Sequence, residues 1–169
     1  MIVVSNLSSH EKTLVLIKPD AVQRALIGEI VTRLERVGLK IVAMKMVYVD
    51  VEQAGKHYHD LKERYGEQVF DRTVGMITEA PLVAMILEGH HAIEVVRKIV
   101  GSTFPKDSAP GTIRGDFAHV SKNPFNLIHA SGHKEDAERE IPIWFSKEEI
   151  HTYLRNDEKH VLSASDDDM

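Results

Sequence analysis

The sequence predicts an α/β protein with a ferredoxin-like fold, an α/β sandwich in which a four-stranded antiparallel sheet carries helices on one face. Two observations lead to this prediction. Four short apolar segments have the length of strands, and segments with apolar residues at helical spacing lie between them without any internal repeat. The resulting order, in which strand and helix alternate and a fourth strand follows the third helix, matches the split β-α-β arrangement of ferredoxin-like sheets.

The first predicted strand and helices lie between residues 13 and 38. The continuous apolar run over residues 13–18 is typical of a central strand that is buried on both faces. Asp20 is suited to cap one helical turn over residues 21–24. Gly28 then opens a second helix, and Gly38 is a natural C-terminal stop for it.

The second strand is predicted over residues 39–49, where apolar side chains alternate between two faces. Asp50, followed three residues later by Gln53, resembles a capping box, so a helix is expected from residue 51 to about residue 64. A further helix is expected over residues 68–78. The later elements follow from the same signals: strands over 82–87 and 127–130, helices over 92–100 and 134–141, and a helix from the Ser146–Glu149 capping box to about 154.

The composition indicates one compact domain. The chain has 169 residues, of which 43% are hydrophobic and 28% charged, and a chain of this length can bury a core without disulfides or metals. It contains no cysteine, which excludes a thiolate nucleophile and a cysteine zinc site and is typical of a reducing compartment. We therefore expect a cytoplasmic protein.

Neither a membrane span nor a nucleic-acid surface is predicted. The longest apolar runs, such as residues 82–87, are far shorter than the roughly 20 residues that cross a bilayer. Residues 1–10 lack the features of a secretory signal. Because the net charge is −5, a basic footprint for nucleic acid is not expected, and an anionic ligand must meet a local group of cations.

Residues 101–124 form a long segment without periodicity, interrupted by several prolines and glycines. Such a loop in a compact domain is usually either functional or disordered. Its charges are specific rather than repetitive, which favours a functional loop.

One histidine, His129, lies in the middle of the last apolar strand, between Asn126 and Ser131. Taken alone, a histidine in this position is more often a packed core residue than a reactive one. Phosphoryl transfer requires a nucleophile in line with the phosphate, cations that neutralise the phosphate charge, and a group that orients the nucleophile. The glycine-rich phosphate loops are absent, so side chains would have to bind the phosphates.

Five segments, read together, resemble the nucleoside diphosphate kinase family. The resemblance runs from about Glu11 to about Ile150, in the order of the family. Any one segment is a weak signal, whereas five in register are specific. The segments are Lys18-Pro19-Asp20, His57-Tyr58, the run from Pro110 to Asp116, the Asn126 to His129 strand and Trp144-Phe145.

The resemblance implies an enzyme that passes the γ-phosphate of a nucleoside triphosphate to a nucleoside diphosphate through a phosphohistidine on His129. Glu140 matches the carboxylate that bonds the other ring nitrogen, and Lys18 and Tyr58 complete the catalytic set. ATP and other nucleotides are the implied partners, Mg²⁺ is the implied cofactor, held mainly by the nucleotide phosphates, and a hexamer or tetramer is the implied assembly. The implied nucleotide-binding residues are Lys18, Tyr58, Phe70, Arg97, Thr103, Arg114, Asn126 and Ser131.

The resemblance also implies domain boundaries: an N-terminal extension over residues 1–10, the kinase domain over 11–155 and a flexible tail over 156–169. The chain departs from the family after His129, in a longer stretch from Arg64 to Gly75 and in about two extra residues between Asp116 and Asn126. Gly132 stands where the family usually has Asp, which predicts a looser turn after His129. The family's Pro-Phe-Phe, which stacks on the base, is absent, and Phe70 is the nearby candidate.

Two other functions fit parts of the sequence. A binding module could hold a nucleotide for regulation after losing activity through the altered turn from Ala130 to Gly132. A metal-dependent phosphohydrolase could use His57, His59 and His129, although neither the His57–His59 pair nor the His129–His133 pair brings the third ligand of a zinc site.

Overall fold

The structure, a computed structural model, describes residues 10–120 and 125–158. Its centre is one antiparallel sheet with the strand order β2-β3-β1-β4, which confirms the predicted fold class. The strands are β1 (His10–Ile17), β2 (Lys40–Val47), β3 (Leu82–His90) and β4 (Ile128–Ala130). The helices are α1 (Pro19–Gln23), α2 (Ile27–Arg36), α3 (Val51–His57), α4 (Leu61–Tyr65), α5 (Glu67–Thr78), α6 (Ala92–Val100), α7 (Ile113–Phe117) and α8 (Lys134–Trp144).

Helices cover both faces of the sheet, so the prediction of helices on one face is wrong. Val15 and Ile17 of β1 belong to a core cluster with residues of α1, α2, α6 and α7. Leu14 and Leu16 belong to a second cluster with residues of α3, α5 and α8. The reason is visible in β1 itself, because a strand that is apolar at every position needs a covering layer on each side.

The end of β1 leads directly into α1, and Asp20 does not cap that helix as predicted. Lys18 occupies the N-cap position without a side-chain cap bond, and Pro19 begins the helix. The carboxylate of Asp20 instead accepts a hydrogen bond of 3.1 Å from the backbone N–H of Leu127. Asp20 therefore ties α1 to the residue that precedes β4.

The single helix predicted from residue 51 to 64 is two helices. Asp50 caps α3 as predicted, accepting a bond of 2.7 Å from the N–H of Gln53, but α3 ends at His57 and α4 begins at Leu61. His57 and Tyr58 are both buried. Consecutive side chains on a helix point about 100° apart, so ending the helix at this pair allows both rings to face the interior.

Much of the segment after α6 is ordered. It contains a 3₁₀ turn (Pro105–Asp107) and α7, which Thr112 caps by accepting a bond of 3.0 Å from the N–H of Gly115. A Cβ at residue 115 would lie 2.0 Å from the carbonyl oxygen of Ala109, so this position requires glycine. Residues 121–124, at the end of the predicted loop, lie outside the described residues.

The C-terminal part contains a 3₁₀ turn, Lys147–Glu149, in place of the helix predicted to residue 154. The Ser146–Glu149 capping box is present, but the chain then follows the edge of β2. His151 donates its N–H to the carbonyl of Val42 at 2.8 Å. Backbone bonding to the sheet edge thus replaces helical bonding.

The described structure continues slightly beyond the predicted domain boundary at residue 155. Glu158 lies 2.6 Å from the ammonium group of Lys40. Residues 1–9 and 159–169, which make up most of the predicted extension and tail, lie outside the described residues. Among the described helices, none has the length and apolar character that crossing a membrane requires.

Candidate active site

His129 is accessible, which is the first requirement for a nucleophile. It lies on β4 between the buried residues Ile128 and Ala130, and its own side chain is 19% exposed. In the β1–β4 pairing it stands opposite Leu16, so its ring points to the face of the sheet that α3 and α8 cover. The strand is therefore anchored by its neighbours while the imidazole remains open to a ligand.

Glu140 on α8 orients the His129 ring. Its Oε2 lies 3.0 Å from His129 Nε2 and also accepts a bond of 2.8 Å from the hydroxyl of Ser131. The N–H of Leu14 donates to that hydroxyl at 3.2 Å. Because a carboxylate only accepts hydrogen bonds, Nε2 carries the ring proton and Nδ1 keeps its lone pair.

Glu140 is buried but remains a carboxylate. Burial alone would raise the pKa of its side chain, but the hydrogen bond and charge of His129, together with the bond from Ser131, hold that pKa below its ordinary value. Arg139 adds a bond of 3.2 Å from Nη2 to Oε1. Nothing in the sequence indicates this role of Arg139, because a basic residue next to Glu140 on a helix carries no recognisable signal.

Two aromatic rings pack against His129. The His57 ring centroid lies 4.4 Å away at an interplanar angle of 82°, and the Tyr58 centroid lies 6.1 Å away. Burial lowers the pKa of His57 well below its ordinary value, so this imidazole is neutral. Burial, reinforced by the charge of Glu140, raises the pKa of Tyr58, and its hydroxyl has no hydrogen-bond partner among the described residues.

Lys18, Asn126 and Thr103 form a connected group at the ends of β1 and β4. The ammonium group of Lys18 donates to Asn126 Oδ1 at 2.7 Å, and the Asn126 amide donates to the carbonyl of Thr103 at 2.9 Å. Burial, together with the nearby charge of Arg114, lowers the pKa of Lys18 to about 8. The side chain of Thr103 is exposed and remains available to a ligand.

Arg114 is a buried cation that holds the loop ends together. Its guanidinium donates to four backbone carbonyls, those of Gly101, Ser102, Asn126 and Ile128, at distances from 2.5 to 3.2 Å. Burial and the charge of Arg97 lower the pKa of Arg114 to about 10. Arg97 is half-buried and has no ion pair or hydrogen-bond partner among the described residues, so its charge is free for an anion.

Phe70, the predicted base-stacking residue, faces the protein interior. It is half-buried and packs against the core cluster of α3, α5 and α8. The tip of its ring is 3.7 Å from the position that a Cβ on Gly55 would occupy. Stacking of the base on Phe70 stays a prediction. Tyr65 on the neighbouring α4 is a second aromatic side chain in this region, and it is 56% exposed.

An acidic side chain other than the one expected at residue 132 lies beside the turn after His129. Asp136 accepts a bond of 3.1 Å from the N–H of His133 and completes a capping box at the start of α8. A Cβ at residue 132 would lie 2.9 Å from Asp136 Oδ2. The carboxylate beside this turn therefore comes from the helix, and Gly132 leaves room for it.

His57, His129 and Glu140 form the one potential metal-ligand group among the described residues, with one ligand atom from each lying within 4.8 Å of the others. The third member is Glu140, which the sequence predicted as the partner of His129 and not as a metal ligand, and His59 is not part of the group. Mg²⁺ prefers oxygen ligands, and the described residues offer it no cage of carboxylates.

These features define a class: a partly exposed imidazole with a free Nδ1, oriented by a carboxylate, is typical of a phosphotransferase that works through histidine. The profile described as "Nucleoside diphosphate kinase" matches residues 11–150. The chain belongs to the nucleoside diphosphate kinase family.

Relatives of known name agree over most of the chain. The nucleoside diphosphate kinase of Pyrococcus furiosus is 54% identical over 146 residues, covering 86% of this chain and 89% of that protein. The enzyme of Borreliella burgdorferi is 48% identical over 158 residues, covering 88% of this chain and 95% of that protein.

Solved structures agree with the fold as well. The Borrelia burgdorferi enzyme, described as a transition state mimic with bound vanadate and ADP, superposes with a TM-score of 0.86 at 47% identity, over 90% of this chain and 96% of that one. The Halobacterium salinarum enzyme, described in complex with CDP, gives a TM-score of 0.82 at 43% identity, over 89% and 97%.

The activity follows from the family. The enzyme transfers the γ-phosphate of a nucleoside triphosphate to a nucleoside diphosphate by a ping-pong route, through the phosphohistidine intermediate that is general for this family.

Proposed function

We propose that His129 carries the phosphoryl group, and that Nδ1 is the atom to which it is attached. The observation that carries this proposal is the pairing of Nε2 with Glu140 at 3.0 Å on a ring that is still 19% exposed. This pairing leaves a lone pair on Nδ1. In the first half-reaction the Nδ1–P bond forms, the bond from the γ-phosphorus to its bridging oxygen breaks, and the electron pair leaves with the nucleoside diphosphate.

Glu140 stabilises the ring as it reacts. The imidazole becomes positive when Nδ1 attacks phosphorus, and a carboxylate held against Nε2–H interacts more strongly with that cation than with the neutral ring. Ser131 keeps the carboxylate in place through its bond of 2.8 Å. The acceptor diphosphate then attacks the same phosphorus, and the Nδ1–P electron pair returns to the ring.

The cations hold the phosphates. Arg97, Arg114 and Lys18 bring positive charge to a region where triphosphate charge must be neutralised. Arg97 can meet two phosphate oxygens at once, whereas Arg114, which already donates to four backbone carbonyls, contributes mainly through its charge. Thr103 adds an exposed hydroxyl, and the Tyr58 hydroxyl, which has no partner among the described residues, is the donor beside His129. Asn126 and Lys18 serve the sugar hydroxyls.

Mg²⁺ accompanies the nucleotide rather than a preformed protein site. The ligand group His57, His129 and Glu140 has two nitrogen donors and does not suit Mg²⁺, which prefers oxygen ligands. The ion supplies charge neutralisation on the phosphates when it is bound. Lys18, Arg97 and Arg114 would share that task from the protein side.

Nucleotides with different bases are the expected substrates. Two relatives are described with ADP and with CDP, which supports low base selectivity for this enzyme as well. The absence of cysteine from the sequence supports a reducing, cytoplasmic setting, and the net charge of −5 argues against nucleic acid as a partner.

A homo-oligomer, either a hexamer or a tetramer, is the proposed assembly. The support comes from exposed apolar side chains at β2, an edge strand of the sheet. Met44 and Met46 on this strand and Tyr48 just after it are 45%, 55% and 74% exposed. Exposed large apolar side chains that lie close together usually indicate a contact surface. Light scattering of the purified protein measures the assembly directly, and a monomeric mass at working concentration would overturn this proposal.

The decisive experiment is labelling with γ-³²P ATP. We expect an acid-labile label on the wild-type enzyme, no label on His129→Ala, and transfer of the label to an added diphosphate. His59→Ala is the matched control, because His59 is exposed and lies close to the site in sequence, and it should label normally.

The same experiment separates the alternatives. A nucleotide-binding module would bind ATP without becoming labelled. A metal-dependent phosphohydrolase would release phosphate without an acceptor and would lose activity in His59→Ala. Normal turnover by His129→Ala would refute the proposed nucleophile.

A further inference from the structure

The group formed by His57, His129 and Glu140 raises a chemical problem. Two imidazoles and a carboxylate are the ligand set of many catalytic zinc sites, and one ligand atom from each lies within 4.8 Å of the others. A zinc or copper ion bound here would occupy the ring on which the reaction depends. The enzyme therefore needs a feature that keeps this group free of such ions.

Trp144 supplies that feature. Its indole Nε1 donates a hydrogen bond of 3.2 Å to Nδ1 of His57, and both residues are only 2% exposed. An indole N–H is a donor only, so Nδ1 of His57 must be the acceptor and carries no proton. The one proton of this neutral ring is therefore on Nε2, which has no hydrogen-bond partner among the described residues.

In this tautomer His57 has no lone pair to offer. The lone pair on Nδ1 is used by Trp144, and Nε2 carries a proton. A metal ligand must present a lone pair, so the group of three contains only two usable ligands. For the same reason His57 cannot accept the Nε2–H of His129, and Glu140 is the only member of the group that can accept it.

We propose that Trp144 is a positioning residue that reserves His129 for phosphoryl transfer by fixing the tautomer of His57. The proposal rests on the role of His129 as the nucleophile. It assigns no contact with the nucleotide to Trp144 or to His57. The hydrogen bond between these two side chains determines which partners His129 has.

Removing the indole should reverse this selectivity. In Trp144→Phe the proton of His57 can move between its nitrogens, and one of them then presents a lone pair. The group gains its third ligand. We expect Zn²⁺ to bind the nucleotide-free variant about 10-fold or more tightly than the wild type, since a third ligand completes the protein contribution to a typical site.

The test is a titration of nucleotide-free protein with ZnCl₂. Calorimetry and competition with a chromophoric chelator both measure the affinity for Zn²⁺. Phe145→Leu is the matched control: Phe145 is also buried in the cluster beside α8, so its replacement loosens the same packing but keeps the Trp144–His57 bond. We expect no gain in Zn²⁺ affinity from Phe145→Leu. The double variant Trp144→Phe/His57→Gln should lose the gain.

Each outcome decides the proposal. Equal Zn²⁺ affinity of wild type and Trp144→Phe, an equal gain in Phe145→Leu, or a gain that survives in the double variant would overturn it. A second measurement needs no variant: long-range ¹H–¹⁵N spectra of the histidine rings should report a proton on Nε2 of His57. A proton on Nδ1 would refute the proposal. Because neither readout uses ATP, failure here is distinct from failure of the phosphohistidine labelling.

Discussion

His129 and Glu140 face each other across the β4–α8 packing, with Nε2 and Oε2 separated by 3.0 Å. The carboxylate is buried, and its pKa is held below the ordinary value despite that burial. The proposed nucleophile and its anionic partner are thus positioned before the nucleotide binds. Such preorganisation avoids the cost of reorienting the groups during the reaction.

Replacing Glu140 by Gln tests the charge of this partner separately from its shape. The amide oxygen can still accept from Nε2, but it no longer stabilises the imidazolium that develops as phosphorus is attacked. We expect a fall in kcat of about 10- to 100-fold, with little change in nucleotide binding. Steady-state kinetics at varied nucleotide concentration measures both kcat and KM. An unchanged kcat would mean that orientation alone is the contribution of Glu140.

Removing the side chain of Arg97 and removing that of Arg114 should affect the enzyme differently. Arg97 has no ion pair among the described residues, whereas Arg114 donates to four backbone carbonyls. We expect Arg97→Ala to lose on the order of 3 kcal/mol of transition-state stabilisation with stability unchanged within about 0.5 kcal/mol. Arg114→Ala should lose activity and should also unfold at a lower urea concentration.

Urea titration and kcat/KM on the same samples measure these two effects. The two variants serve as controls for each other, since each removes one guanidinium from the same cationic region. Equal losses of stability would contradict the separation between a ligand-binding and a scaffold role.

The lowered pKa of Lys18 predicts a pH dependence of binding. With a pKa of about 8 in the nucleotide-free enzyme, Lys18 is charged at pH 7 and neutral above about pH 9. Loss of this charge removes an attraction for phosphate, so kcat/KM should fall as pH rises through 8. Lys18→Arg keeps its charge and should shift this fall to higher pH. A flat wild-type profile to pH 9.5 would contradict the assignment.

Much of the fold was predictable because its signals are local. The apolar run of β1 and the helical spacing of α6 lie in continuous sequence, so periodicity alone identified them. The break between α3 and α4 was not predictable in this way. It depends on the burial of both His57 and Tyr58, and that burial is decided by contacts with residues far along the chain.

The candidate site shows the same division. The resemblance identified His129 and Glu140, and the structure brings them together. The resemblance could not identify Arg139 or the bond from Trp144 to His57. The bond from Trp144 to His57 joins α8 to α3, and no spacing in the sequence encodes it. Arg139 is the neighbour of Glu140 on α8, a position that carries no signal of its own.

The turn after His129 provides a test of how Gly132 and Asp136 depend on each other. Gly132→Asp would place a Cβ 2.9 Å from the Asp136 carboxylate and add a second negative charge beside it. We expect a loss of about 1–3 kcal/mol of stability, measured by urea unfolding. Gly132→Ala separates the effect of size from that of charge, and Asp136→Ser added to Gly132→Asp should recover most of the loss. No recovery in the double variant would show that the two positions are independent.

Phe70 and Tyr65 compete for the role of stacking on the nucleotide base. The Phe70 ring packs on the core cluster near Gly55, whereas Tyr65 is 56% exposed. We expect Tyr65→Ala to weaken nucleotide binding by about 1–3 kcal/mol, the usual contribution of base stacking, with stability unchanged.

Phe70→Ala should do the opposite, lowering stability by up to about 3 kcal/mol through the cavity it leaves and changing KM little. KM for GDP and CDP, measured beside thermal unfolding, distinguishes the two residues, and the effect of Tyr65→Ala should be larger for the purine because its ring offers more stacking area. If Phe70→Ala raises KM while the protein stays equally stable, then Phe70 is the stacking residue and its ring must turn outward when the nucleotide binds.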